Sequence, residues 1–455
     1  MTTAITTARL RGRAGRPASR GAARQGLRGD LLRSREVLVF WGASSIGLLH
    51  AVDDAMLHRQ PGVGAGQHLM GLLVTVATVA VAAVTFPVLR PGIRAGLALV
   101  LGTLTLVNGG THVAHAAAVG PSASDLSGIL AAVAGVALVA LGLTIPWRHR
   151  GARPGRTGIR WARRAIAVAL GALVLLGFLV PVGTAMLQIH QPRHAVGDAP
   201  SADYGTVTFQ ASDGLRLSGW YAPSHNGAAV ILVHGGGSDR TGSVAHAEML
   251  HRHGYGVLLY DARGRGDSEG SPNGFGWGWP RDVSGALGYL EQRPDVDPTR
   301  IGGLGLSTGA SVLLEVAATD DRLAAVVADG AAGRSYADRL PSRGPDVRTP
   351  YLWSMYAAAR VFSGATPGAH LDGLVAQIAP TPVFLIAGLS APYEAEFNHL
   401  FARAYSTSGR GKMTLWVAPG VHHTTGIRER SLSYESRVAD FFDGALLGAG
   451  SGTER

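Results

Sequence analysis

Residues 300–312 read Arg-Ile-Gly-Gly-Leu-Gly-Leu-Ser-Thr-Gly-Ala-Ser-Val, and they constrain the fold more than any other stretch. An apolar run, Ile301–Leu306, ends at Gly305-Leu306-Ser307-Thr308-Gly309, and a helix-like run, Ala310–Ala318, begins at once. A strand that passes to a helix through Gly-x-Ser-x-Gly has no space for a Cβ at the glycines and holds the serine at the tip of the turn, Oγ exposed. The helix that starts there directs unsatisfied backbone N–H groups into the space above the hydroxyl. Serine alone is a poor nucleophile. A chain that uses it needs a base, an acid that orients the base, and donors for a developing oxyanion. Without them the same residues describe a tight turn with a helix-capping serine.

The first 190 residues pose a different constraint. Hydrophobic residues make up 46% of the 455-residue chain and charged residues only 16%, a composition that calls for membrane segments beside a globular domain. Five apolar spans stand out, at about 37–52, 68–88, 93–118, 126–147 and 165–187. A helix needs roughly 20 apolar residues to cross the hydrocarbon; the last four spans qualify, and the first is short and runs into Asp53 and Asp54. The net charge of +10 is concentrated, with nine arginines between Arg9 and Arg35 and seven between Arg148 and Arg164. Basic charge that flanks apolar spans marks membrane topology rather than a nucleic-acid face. The positive-inside rule then predicts a cytoplasmic N-terminus and an extracytoplasmic segment after Leu187, in the cell membrane. A soluble helical bundle is the plainer alternative. The expected organisation is a disordered basic cytoplasmic tail (1–36), a transmembrane region of about five helices (37–187), a proline-punctuated linker (188–203), a water-soluble domain (204–447) and a disordered tail (448–455). Cysteine is absent, which excludes disulfides and thiolate metal sites. A single lysine, Lys412, among many arginines fits a GC-rich bacterial genome.

His50, Asp53, Asp54, His58, His68, His112 and His115 fall near the outer ends of the first three spans. Ionisable residues at membrane depth are functional candidates, and His with Asp can hold a transition metal. His50, Asp54, His112 and His115 are the candidate ligands. The blander expectation is that these groups sit wet and unpaired at the headgroup level.

Beyond residue 204, strand and helix alternate. Thr206–Gln210 and Leu215–Tyr221 flank Asp213-Gly214, a hairpin signal. Ala228–Val233, Val257–Tyr260, Ile301–Leu306, Leu323–Ala328, Val383–Ala387 and Met413–Val417 are short apolar runs of the kind buried in a parallel sheet. Helical runs at 243–253, 280–291, 310–318, 394–408 and 431–447 separate or follow them, which predicts a mostly parallel sheet covered on both faces. Ligands in such sheets bind beyond the carboxyl ends of the strands, and the Gly-rich turns lie at that edge.

Four ordered motifs, Val230-Ile-Leu-Val-His-Gly-Gly-Gly, Tyr260-Asp-Ala-Arg-Gly-Arg-Gly-Asp-Ser, Gly305-Leu-Ser-Thr-Gly and Gly420-Val-His-His, resemble the α/β-hydrolase superfamily over about residues 204–447. The resemblance implies an α/β-hydrolase fold behind an N-terminal α-helical transmembrane bundle, with Ser307 as nucleophile. The base is then His422 or His423. Counting from Gly420 selects His422; the longer Pro-Gly-Ala-Gly-His-Thr form selects His423, the preferred choice, since Thr424 follows. The acid is expected after the strand Val383–Ala387, but the family's Gly-x-x-Asp has Ala391 in its last position here. Glu394 is preferred, with Glu396 and Asp329 as alternatives; a first-turn helix position is the bland role for either glutamate. The oxyanion donors implied are the N–H of Thr308 and that of Gly235 or Gly236. An aromatic-bearing insert at about 330–377 occupies the place of a lid, and Gly274–Trp279 reads as a further wall or as packing.

These readings predict a membrane-anchored serine hydrolase that cleaves an ester, thioester or amide through an acyl-enzyme on Ser307. It takes no cofactor, and its partners are a small-molecule or lipid-like acyl substrate and the lipid bilayer, not nucleic acid. The rival is a membrane transport or sensory protein whose hydrolase-like domain binds ligand without turnover.

Overall fold

The computed structural model describes residues 20–58, 65–149 and 173–448, the last without 192, 194, 340–345, 347, 408–410 and 412, together with a few positions between 158 and 171. The expected tail at 1–19, the residues after 448 and most of the arginine-rich loop lie outside the described residues.

Four long helices come first: α1 (Arg20–Val52), α2 (Ala65–Thr85), α3 (Pro91–Val119) and α4 (Ala123–Arg148). Three stretches among the described residues, His68–Val88, Pro91–Ala117 and Asp125–Arg148, are long and apolar enough to cross a membrane. They coincide with the second, third and fourth expected spans. The expected first span forms the C-terminal part of α1. The fifth is described only in part and ends as a short helix, α5 (Val180–Ile189). Residues 20–36, expected in a disordered tail, are instead helical from Arg20. The stretch lacks an apolar repeat, but Ala, Leu, Arg and Gln are strong helix formers. Glu36 also anchors the helix: it is fully buried, with Arg94 Nη1 at 3.0 Å and His149 Nε2 at 3.1 Å.

The C-terminal half is one eight-stranded sheet: β1 (Gly205–Gln210), β2 (Arg216–Ala222), β3 (Ala229–Val233), β4 (Gly256–Tyr260), β5 (Ile301–Leu306), β6 (Ala325–Asp329), β7 (Val383–Gly388) and β8 (Met413–Ala418). The spatial order is β1-β2-β4-β3-β5-β6-β7-β8. β1–β2 and β2–β4 pair antiparallel and the remaining pairs are parallel. β3 to β7 are buried along their whole length, as two-sided coverage demands. The pleat sends Ala229, Ile231 and Val233 into one apolar core and Val230 and Leu232 into the other. Each such buried valine, leucine or isoleucine side chain contributes roughly 1.5–3 kcal/mol. Helices α6 (Val244–Arg252), α7 (Trp279–Leu290), α8 (Thr308–Ala317), α9 (Thr349–Ser363), α10 (Leu371–Val375), α11 (Pro392–Ser406) and α12 (Ser431–Phe442) complete the domain.

The insert does not stand apart as a free flap. α9 packs against α5 and the turn before it (Leu175–Leu179), with Tyr351 Oη donating to Thr184 Oγ1 (3.0 Å) and Ser354 Oγ to the carbonyl of Gly177 (2.7 Å). The expected wall at Gly274–Trp279 joins the same cluster, because Phe275 and Trp277 stack at 5.3 Å and Tyr356 of α9 lies 5.2 Å from Phe275.

A charged node ties the β1–β2 hairpin to the loop after β4. Arg263 donates its backbone N–H, Nε and Nη2 to the fully buried Asp282 at 2.9, 2.9 and 2.6 Å, and its guanidinium also reaches Asp213 at 2.9 and 3.0 Å. Removing one partner of a buried pair leaves the other uncompensated. Asp282→Ala should therefore cost roughly 3 kcal/mol and lower the unfolding temperature by about 5–10 °C. Thermal unfolding of the full chain in detergent measures this, and a midpoint within a degree of wild type contradicts it.

Candidate active site

Ser307 follows β5 with φ 54° and ψ −115°, a backbone conformation that side chains seldom adopt. The flanking glycines permit it. A Cβ on Gly305 would stand 2.5 Å from Ala310 N, and one on Gly309 would stand 2.7 Å from the carbonyl oxygen of His234. The Ser307 N–H is held by the carbonyl of Asp329 at the end of β6 (2.8 Å). The tight turn thereby aims the hydroxyl away from the sheet.

His423 lies on the loop after β8, and its Nε2 is 2.8 Å from Ser307 Oγ. Its Nδ1 is 2.6 Å from Glu394 Oε2. Glu394 sits in the first turn of α11, fully buried, and its other oxygen accepts the N–H of Gly388 (2.8 Å). A carboxylate that accepts at Nδ1 places the proton there and leaves Nε2 as a lone pair facing the serine in the neutral ring. The Glu394 hydrogen bond raises the His423 pKa above its ordinary 6.5, partly opposed by burial.

The alternatives lie elsewhere. His422 is exposed and pairs with Glu429 at 3.1 Å. Glu396 is half-buried two residues further along α11. Asp329 is buried and accepts from Tyr434 Oη at 2.9 Å. Burial, with the nearby Glu394 charge, pushes the Asp329 pKa up to about 7 against the pull of Tyr434 and His423. Of the three candidate acids, the structure brings Glu394 against the imidazole.

Thr308 is the first residue of α8, so its N–H has no acceptor within the helix. Gly235 follows β3 beside the elbow; a Cβ there would be 3.6 Å from Ser307 Cβ. Gly236 lies against Thr308, whose Oγ1 donates to the carbonyl of Gly274 (3.0 Å). These three backbones lie beside the Ser307 turn.

Motif reading assigned no role to three supporting residues. Gly330 has φ +77°, and a Cβ there would come within 3.0 Å of His423 Cε1 and 2.8 Å of Thr424 Cγ2; it makes room for the imidazole. His234 is buried; its Nε2 accepts the Ala262 N–H at 3.0 Å, so Nδ1 donates to the carbonyl of Gly235 at 2.8 Å. Burial lowers its pKa to about 4 and keeps the ring neutral. Gln188 accepts the Gly274 N–H with its carbonyl oxygen (2.9 Å) and so ties the expected linker to the site. His234 lies within a quoted motif; nothing local marks the other two, because their roles depend on residues distant in sequence.

The candidate metal ligands of the N-terminal helices are partnered, which corrects the expectation of wet, unpaired groups. His112 and His115 place Nδ1 3.2 and 3.0 Å from Asp125. His50 Nδ1 is 3.1 Å from Ser127 Oγ, and His58 Nδ1 is 2.8 Å from Asp53. Asp54 approaches His112 Nε2 only to 3.9 Å. No group of three or more His, Asp or Glu among the described residues is arranged to hold a metal ion.

Sheet order, elbow and histidine loop together define the class of domain. Residues 230–431 match the profile described as "Alpha/beta hydrolase family". The chain is 28% identical over 249 residues to the uncharacterized protein YfhR of Escherichia coli (strain K12), covering 53% of this chain and 81% of that protein. It is 32% identical over 134 residues to the thiohydrolase aneE of Aspergillus aculeatus, covering 29% of this chain and 42% of that one. Among solved structures, the Pyrococcus furiosus esterase Pf2001 aligns at a TM-score of 0.45 with 25% identity, over 56% of this chain and 98% of its own. The C-terminal half carries an α/β hydrolase family domain.

The raised pKa fixes a sign. Neutral His423 is the minority form below its own pKa, so its modification by diethylpyrocarbonate should have a half-maximal pH above 6.5. Glu394→Gln should move that midpoint down, because it removes the first cause of the shift. Peptide mapping of the modified chain reads both, and an unmoved midpoint speaks against the contact.

Proposed function

We propose that this chain is a membrane-anchored serine hydrolase that cleaves an ester or thioester. The observation that carries the reading is the unbroken hydrogen-bond chain from Glu394 through His423 to Ser307, at 2.6 and 2.8 Å. Ser307 Oγ attacks the substrate carbonyl carbon as His423 Nε2 takes its proton. The Thr308 N–H, with that of Gly235 or Gly236, donates to the tetrahedral oxygen; one such donor typically contributes roughly 3 kcal/mol. The intermediate collapses as His423 returns the proton to the leaving alcohol or thiol. Water then repeats the sequence on the acyl-enzyme and releases the acid. Glu394 keeps the ring in the correct tautomer and stabilises the imidazolium. The thiohydrolase among the similar proteins supports a thioester within the substrate range. The rival reading, a ligand-binding domain without turnover, leaned on the missing Gly-x-x-Asp acid; Glu394 supplies a carboxylate in its stead.

A fluorophosphonate probe should label wild-type protein and not Ser307→Ala, read by in-gel fluorescence. Glu394→Gln should reduce kcat on a p-nitrophenyl ester by a factor on the order of 10⁴, the cost of losing the correct tautomer. A folded wild type that takes no probe refutes the assignment.

The same reading puts the hydrolase domain outside the cytoplasmic membrane, from the arginine-rich segments on the opposite side. The chain has no cysteine, so a single Ser212→Cys at an exposed position reports sidedness directly. A membrane-impermeant maleimide should label it in intact spheroplasts. Labelling only after lysis reverses the topology.

A further inference from the structure

Where the membrane helices meet the insert lies a cavity of about 510 Å³, within the roughly 300–1,000 Å³ that holds a small ligand. Its walls come from both halves of the chain: Thr78 of α2, Leu97 and Leu104 of α3, and Ala357 of α9 among them. Trp353, Phe178 and Val74 line it and are themselves 60%, 49% and 39% exposed. The cavity is partly open and its walls are mostly apolar, as are the membrane-length helices that contribute to them.

One end is polar. His50, Asp54, His68 and His190 line it where their helices turn toward the hydrolase domain. His68 Nε2 is 3.5 Å from Ser271 Oγ. Between Met186 and His190, both lining residues, Gln188 holds Gly274, whose carbonyl receives Thr308 Oγ1 at 3.0 Å. The polar end is therefore linked through Gly274 to the residue after the serine.

The hydrogen bonds at this end select a chemistry. Ser127 has one proton and gives it to Asp53 (2.5 Å), so its oxygen accepts from His50 Nδ1 at 3.1 Å. In the neutral ring Nε2 is then an acceptor. That Nε2 is buried and has no hydrogen-bond partner among the described residues, on a side chain only 2% exposed. An unmet buried acceptor costs about 1–3 kcal/mol, which a donating ligand recovers. The Asp54 carboxylate lines the same end, and both groups disfavour an anionic head.

We propose that this cavity takes the hydrocarbon chain of a long-chain polyol ester from the bilayer, with a free hydroxyl of the head donating to His50 and the ester turned toward Ser307. The proposal rests on the hydrolase reading above for the fate of the ester, not for the binding. Ala357 and Thr78 face the chain from opposite halves of the protein.

Binding is tested without turnover, using full-length Ser307→Ala in detergent and a diazirine-bearing 1-palmitoylglycerol. Ala357→Trp and, independently, Thr78→Trp should each cut photo-crosslinking at least 10-fold. 1-Palmitoylglycerol should compete at least 10-fold better than palmitate, and His50→Leu should erase that preference. Crosslinking indifferent to both tryptophans, or palmitate competing equally, overturns the proposal. In the wild-type background, Ala357→Trp should lower kcat/KM for 1-palmitoylglycerol at least 10-fold more than for 1-butyrylglycerol; equal losses overturn the chain-binding role. Hydrolysis of neither ester by wild type refutes the proposed function instead, and the crosslinking result still decides the cavity.

Discussion

The backbone of Ser307 is held at a positive φ, and the rest of the site exists around that constraint. A non-glycine residue in such a conformation costs on the order of 1–3 kcal/mol and persists only where neighbours over-determine it. Here they do. Asp329 accepts the serine N–H, α8 starts at the next residue, and the two flanking glycines lie against backbone with no space for a side chain. The strain yields a hydroxyl projecting from the carboxyl edge of a rigid sheet, where the loops after β3, β7 and β8 converge.

Glu394 shows how the surroundings of that edge accommodate a departure from the common acid. The position where the family pattern carries aspartate is Ala391, immediately before α11. A carboxylate three residues later, in the first helical turn, reaches the imidazole with one additional methylene. The backbone N–H of Gly388 holds its second oxygen, so burial does not leave it unsatisfied. Asp329 sits nearby with its own partner, Tyr434, and a pKa raised to about 7. Two buried carboxyls near one imidazole are thus kept distinct by their hydrogen-bond partners.

The N-terminal helices do more than precede the hydrolase domain. α5 and the insert helix α9 interlock, the aromatic loop after β4 packs on both, and the Gln188 carbonyl is bonded to Gly274 beside Thr308. Movement of the insert would therefore be felt at α5, and the reverse. This contact also explains why the aromatic residues of the insert gave no reading by themselves: Tyr356 and Phe275 meet across 81 positions of sequence.

Local pattern alone determined the strands of the sheet to within two or three residues at their ends, because a buried parallel strand is a continuous apolar run whatever surrounds it. It also determined Ser307 and the pair of histidines, since an elbow and a loop of that kind are written in consecutive residues. Sequence pattern preferred His423 to its neighbour and Glu394 to Glu396 and Asp329 but left each choice open, because it depends on which imidazole reaches a hydroxyl 116 positions away and which carboxylate reaches that imidazole. Only tertiary structure decides these, and the same holds for Gly330, for the partners of the histidines in the N-terminal helices and for the cavity that joins the two halves. Each is a contact between segments remote in sequence, and no local periodicity encodes it.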